Sequence, residues 1–94
     1  VTKKGGWVYI ISTRPNGILY IGVTADIARR IAQHKAGEGS AFTKRYGLNL
    51  LVYAERYEDI RDAIAREKIL KHWQSAWKVR LIVKDNPDWN DLAV

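Results

Sequence analysis

Two short runs rich in β-branched and aromatic residues, 7–12 (WVYIIS) and 18–23 (ILYIGV), are separated by little more than Arg14-Pro15-Asn16-Gly17. Each run reads as a strand. Pro15 fixes φ, and Asn-Gly tolerates positive φ, so the link reads as a turn. A hairpin is therefore predicted at the start of the chain, and the rest must pack against it. Thr24 or Asp26 can cap a helix running to about Lys35, with Ile27 and Ile31 as its i, i+4 apolar pair. Residues 37–47 read as a polar loop. Residues 48–57 (LNLLVYAERY) read as a third strand. Asp59 caps a second helix from Ile60 to about Trp73. Residues 75–84 read as a shorter third helix, with a strand as the alternative, and Asn86-Pro87-Asp88-Trp89 ends it. The order β-β-α-β-α-α predicts an α+β fold with helices on a small antiparallel sheet. Residues 1–6 read as a flexible lead-in and 7–94 as one domain.

A chain of 94 residues, 47% hydrophobic and 28% charged, has enough material for one modest core. It contains no cysteine, which excludes disulfides and thiolate metal sites. No apolar run reaches membrane-spanning length, and the first six residues hold no segment of signal-peptide type. No membrane is expected as a partner, and a cytoplasmic location is the simplest expectation. The formal net charge of +6 favours a polyanionic partner.

Helical wheels single out three polar residues. With Ile27 at 0°, Ile31 falls near ~40°, His34 near ~340° and Arg30 near ~300°, whereas Arg29 falls near ~200°. Arg29 points to water, and Arg30 and His34 sit at the edge of the buried stripe. Either they face a cleft or an anion, or the arginine snorkels and the histidine packs. With Ile60 at 0°, Glu67 lies near ~340°, within the stripe of Ile60, Ile64, Ala63 and Leu70. A carboxylate there should pair with Lys71 or Arg30, or bind a metal. In the hairpin, Tyr9 shares a face with Trp7 and Ile11, and Gly22 in a strand interior suggests a close backbone approach. Tyrosines so placed are usually packing residues. Tyrosines, an arginine, a histidine and one carboxylate are also the parts of a phosphodiesterase. The arginine would stabilise phosphoryl charge, the carboxylate would hold a hard cation, and a phenol or imidazole would handle the proton.

These residues resemble the GIY-YIG nuclease superfamily, and in particular its small stand-alone bacterial members. Tyr20-Ile21-Gly22 matches the second half of the signature. Trp7-Val8-Tyr9 stands for the first half, with Trp7 and Val8 in place of the glycine and isoleucine. Arg30, His34 and Glu67 fall where that family carries its arginine, histidine and metal-binding glutamate, and the likeness runs from about Trp7 to Leu92. It implies a three-stranded antiparallel sheet flanked by helices. It also implies a metal-dependent endonuclease that hydrolyses phosphodiester bonds of DNA, in the setting of repair or recombination. Glu67 would bind one Mg²⁺ or Mn²⁺, with no small-molecule cofactor. Tyr9, Tyr20, Arg30 and His34 would carry catalysis. Thr43, Lys44 and Arg45 in the polar loop would contact DNA, unless the loop is merely solvated. Lys71 belongs to a basic and aromatic series with His72, Trp73, Trp77, Lys78 and Arg80. That series suits nucleic acid, or else its tryptophans anchor helices in the core. A binding module for DNA or RNA with the same fold and no catalysis is the main rival, and a protein adaptor the weaker one. Oligomeric state leaves no mark in the sequence.

Overall fold

A computed structural model describes residues 4–93. The elements in chain order are β1 (Gly6–Ser12), β2 (Leu19–Thr24), α1 (Ile27–Lys35), α2 (Ala41–Tyr46), β3 (Leu50–Tyr57), α3 (Ile60–Lys71) and α4 (Ser75–Asp85). The hairpin forms as expected, with Ser12 paired to Leu19 and Tyr9 to Gly22. Asn16 takes the positive φ of the turn, at 57°. β3 adds on the other side of β1, so the strand order is β2-β1-β3, antiparallel throughout.

β1 is covered on both faces, which explains why its sequence is an almost unbroken apolar run. Tyr9 and Ile11 pack on one face with Ile31 of α1, Leu48 and Leu51. Val8 and Ile10 pack on the other with Ala63 and Leu70 of α3, Ile82 of α4 and Trp89. A bulge at Ile10/Ile11 leaves Val52 without a ladder partner on β1. This turns Leu51 to the first face while Val52 and Tyr53 both join the second.

Beyond α4 the chain returns along β3. Asn86 Nδ2 donates to the Val52 carbonyl at 3.1 Å, the Leu92 N–H donates to Leu51 at 2.8 Å, and Asp91 accepts from the Leu51 N–H. That return covers an otherwise open sheet edge. Glu55 joins β3 to α3 by accepting from Tyr53, from Tyr57 at 2.7 Å and from Arg66 Nε at 2.9 Å. Burial opposes ionisation of its carboxyl, but these hydrogen bonds prevail and hold its pKa below the usual value.

Two expectations change. Residues 41–46 form a short helix instead of a loop, because Ser40 and Thr43 build a reciprocal capping box and Gly47 closes the helix at φ 65°. The lead-in is already tied down at Lys4, whose carbonyl accepts from the Ile60 N–H at 2.8 Å, and Gly6 opens β1. Val1, Thr2 and Lys3 lie outside the described residues. No helix among the described residues is long and apolar enough to cross a membrane.

Candidate active site

The first face of the sheet brings Tyr9, Tyr20, Arg30 and His34 together. Tyr9 sits mid-strand on β1 and is 1% exposed. Its ring lies over Gly22 of β2, where a Cβ would overlap the phenol. This is the close approach that a glycine in a strand interior implies. Asp26 caps α1 by accepting from the Arg29 N–H. The helix then turns Ile31 and His34 inward, leaves Arg30 at the edge and leaves Arg29 exposed. Arg30 Nε donates to Tyr9 Oη at 3.3 Å, and its Nη1 donates to Gln33 Oε1 at 3.2 Å. His34, 4% exposed, meets Tyr9 Oη through Nε2 at 2.9 Å. The Tyr20 ring stands 5.8 Å from His34 and 6.5 Å from Tyr9.

Thr43 Oγ1 lies 3.0 Å from the Ser40 carbonyl and 3.1 Å from His34 Nδ1. When its hydrogen goes to the carbonyl it accepts from Nδ1. In that tautomer His34 carries its proton on Nδ1 and offers Nε2 as acceptor to the Tyr9 hydroxyl, whose oxygen already accepts from Arg30. The chain of donors runs Arg30 to Tyr9 to His34 to Thr43 to Ser40, and the capping box of α2 is its anchor.

The charges agree with this. Burial, aided by the Arg30 guanidinium, lowers the His34 pKa below its ordinary 6.5, so the ring is neutral at pH 7. Burial raises the Tyr9 pKa above 10.0, and the hydrogen bond and charge of Arg30 offset this only in part. The phenol is thus not poised as a phenolate. Arg30, hydrogen-bonded to Tyr9, has its pKa raised and stays charged.

Thr43 departs from its expected role. It is 3% exposed and its hydroxyl is consumed by Ser40 and His34, so it supports the histidine instead of meeting a ligand. Lys44 and Arg45 are exposed on α2, with the Arg45 guanidinium 5.5 Å from the centre of the Tyr46 ring. Glu67 meets Lys71, one of the partners its place on the wheel allowed. The buried arc of α3 is centred on Ala63 and Leu70, whereas Ile64 is 37% exposed. Glu67 therefore lies at the rim, its side chain 14% exposed, with Oε2 3.4 Å from Lys71 Nζ. Its charge still reaches the Tyr9 phenol and helps to raise that pKa.

No cluster of three or more His, Cys, Asp or Glu side chains is placed to hold a metal among the described residues. One rim carboxylate suits a small hard cation that keeps most of its water and takes further oxygens from a phosphate. Lys71, half exposed, is the ion-pair partner of that carboxylate. Gln33, Ser40 and Phe42 were not anticipated at this site. The S-x-x-T spacing of Ser40 and Thr43 is the signal that could have found the first turn of α2.

The family model for the GIY-YIG catalytic domain matches residues 5–80. The chain belongs to the GIY-YIG family. This is a nuclease superfamily, and the match covers every residue of the site just described. Relatives similar to the chain include a UPF0213 protein of Staphylococcus haemolyticus, 36% identical over 81% of this chain and 92% of its own length. A UPF0213 protein of Natronomonas pharaonis is 35% identical over 84% of this chain and 92% of its own. The solution structure of a UPF0213 protein from Bacillus halodurans aligns with a TM-score of 0.57 at 28% identity, covering 93% of this chain and 92% of that one. The GIY-YIG sheet with its flanking helices is thus the fold of this chain, and the tyrosines of Trp7-Val8-Tyr9 and Tyr20-Ile21-Gly22 face each other on it.

Proposed function

We propose that this chain is a metal-dependent endonuclease that hydrolyses phosphodiester bonds of DNA. One observation carries the proposal: a buried phenol hydrogen-bonded at once by a charged arginine and a neutral histidine, beside a rim carboxylate. Tyr9 takes a proton from the attacking water as it passes its own to His34 Nε2, so no free phenolate is required. Arg30, at the edge of the site, stabilises the extra charge on the phosphoryl oxygens. Tyr20, partly exposed, hydrogen-bonds the phosphate and screens Tyr9 from bulk water. Glu67 would hold one Mg²⁺ or Mn²⁺, which would supply Lewis-acid polarisation of the scissile phosphate. Lys44, Arg45 and Lys71 hold the backbone on either side. The setting we propose is cytoplasmic repair or recombination of DNA, supported by the family likeness and the basic sequence.

The test is conversion of supercoiled plasmid to nicked circles with Mg²⁺ or Mn²⁺, against a chelator control. The binding-module rival predicts retention of the plasmid without nicking.

Two further outcomes follow from the charges. His34 must be neutral to accept the proton, so single-turnover cleavage should rise with pH along one acid limb whose midpoint lies below 6.5. The rate should then stay flat through pH 9, because the raised Tyr9 pKa places no phenol titration there. Stability should follow the same sign: a depressed histidine pKa means that the unfolded chain binds more protons, so Tm falls as pH drops below about 6.5. An acid limb centred above 6.5 would contradict the role given to His34.

DNA affinity measured in chelator should be strongly salt-dependent. With Arg30, Lys44, Arg45 and Lys71 neutralising phosphates, affinity for duplex should fall roughly 100-fold between about 50 and 200 mM salt. A flat response would oppose a nucleic-acid role.

A further inference from the structure

An open cleft of about 280 Å³ adjoins the tyrosine pair, lined by Leu19, Tyr20, Ile21, Phe42, Lys71 and Lys78. Its chemistry is divided. Tyr20 and Phe42 form an aromatic wall, with ring centroids 6.2 Å apart and planes 28° from parallel. Phe42 continues to Tyr46, whose ring centre is 4.9 Å away, and both are more than two-fifths exposed, at 44% and 43%. Leu19 and Ile21 contribute aliphatic surface from β2. Lys71 and Lys78 bring two ammonium groups from α3 and α4. Neither the core nor the proton chain through His34 uses Phe42, so a large aromatic is left open to water next to the reacting groups.

The geometry points to a subsite for one unpaired nucleotide next to the scissile phosphate, its base stacked on Phe42 and Tyr20 and its phosphates paired with Lys71 and Lys78. This rests on the nuclease reading for the position of the scissile phosphate, and adds to it the substrate class: DNA with an unpaired stretch at the cut. An aromatic wall gains from a nucleic acid only if a base face is free to meet it. In a continuous duplex both faces of every base are already stacked, and extruding one is costly, least so where it is unpaired. The two lysines supply the charge complement that an apolar ligand would not need. The distance from Lys71 to Glu67 sets the subsite directly against the carboxylate of the reaction centre.

The test uses the full chain in chelator, so that binding is read without cleavage. Three DNA probes of equal length are compared: single-stranded, perfectly paired, and duplex with an unpaired bulge. Wild type should bind the single-stranded and bulged probes on the order of tenfold more tightly than the paired one. Phe42→Ala should collapse that ratio toward one, and Phe42→Trp should preserve it. A 2-aminopurine at the unpaired position should be quenched by wild type and recover with Phe42→Ala. Phe42 is exposed, so folding of the variant is checked by its circular dichroism and Tm. Equal affinity for paired and unpaired probes, or a ratio that Phe42→Ala leaves unchanged, would overturn the subsite. Absence of plasmid nicking by a wild type that still prefers unpaired DNA would remove the hydrolytic reading and leave the subsite standing. Nicking without the preference would do the reverse.

Discussion

Arg30→Ala should lower single-turnover cleavage at saturating DNA by about 100- to 1000-fold, or ~3–4 kcal/mol of transition-state stabilisation. Arg29→Ala should change the same rate by no more than about twofold, the usual range for a surface substitution. The two arginines are neighbours in sequence and equal in charge, so any general electrostatic effect on DNA binding would strike both. Only their direction differs. Arg30 Nε reaches the Tyr9 phenol at 3.3 Å, whereas Arg29 is exposed beyond the helix cap. Loss of its two part-buried hydrogen bonds, to Tyr9 and to Gln33, should cost Arg30→Ala about 1–3 kcal/mol of stability, and a Tm measured beside the rate separates that cost from the rate effect. Comparable losses from the two substitutions would remove Arg30 from the reaction.

Glu67→Gln should abolish cleavage in Mg²⁺ and Mn²⁺ while leaving the fold intact. The substitution keeps shape and volume and removes only the charge. Titration with Mn²⁺ should show a loss of affinity, and DNA binding in chelator should persist or rise because a carboxylate near the phosphate has been neutralised. A fully buried ion pair would make this variant unstable by about 3–5 kcal/mol. The pair with Lys71 is instead an i, i+4 contact at the rim, with the lysine side chain 51% exposed. Such pairs contribute about 0.3–0.5 kcal/mol, so Tm should barely move. A markedly lower Tm with unchanged metal dependence would show that Glu67 is a structural partner and not a ligand.

The hairpin and the caps at Asp26 and Asp59 were legible because their signals are local: a turn tetrapeptide and a carboxylate before an apolar series. The direction of Arg30 was legible for the same reason, since one helix period separates it from Arg29. The wheel puts Glu67 within the stripe of Ile60, Ile64, Ala63 and Leu70 and allows a pair with Lys71, and the side chain is 14% exposed with Lys71 3.4 Å away. Only packing against β1 and β2 reveals that Ala63 and Leu70 are the buried members of that stripe while Ile64 is 37% exposed. Residues 41–46 were misjudged because a six-residue helix has too little apolar periodicity to register, and only the Ser40 and Thr43 capping box marks it. The inward turn of Thr43 and the stacking of Phe42 on Tyr20 are contacts across α1, α2 and β2. Neither is written in local spacing, and they decide which residues are exposed at the site.

In the proposed mechanism the proton chain through Tyr9, with Arg30 and Glu67, cuts DNA. The most direct measurement is nicking of supercoiled plasmid by wild type and by the Arg30→Ala/Glu67→Gln double variant, expressed and purified in parallel and assayed with Mn²⁺ and with chelator. Nicked circles are expected from wild type in Mn²⁺ alone, and none from the double variant or in chelator. Nicking by the double variant at the wild-type rate, or none by a folded, DNA-bound wild type in Mn²⁺, would contradict that mechanism.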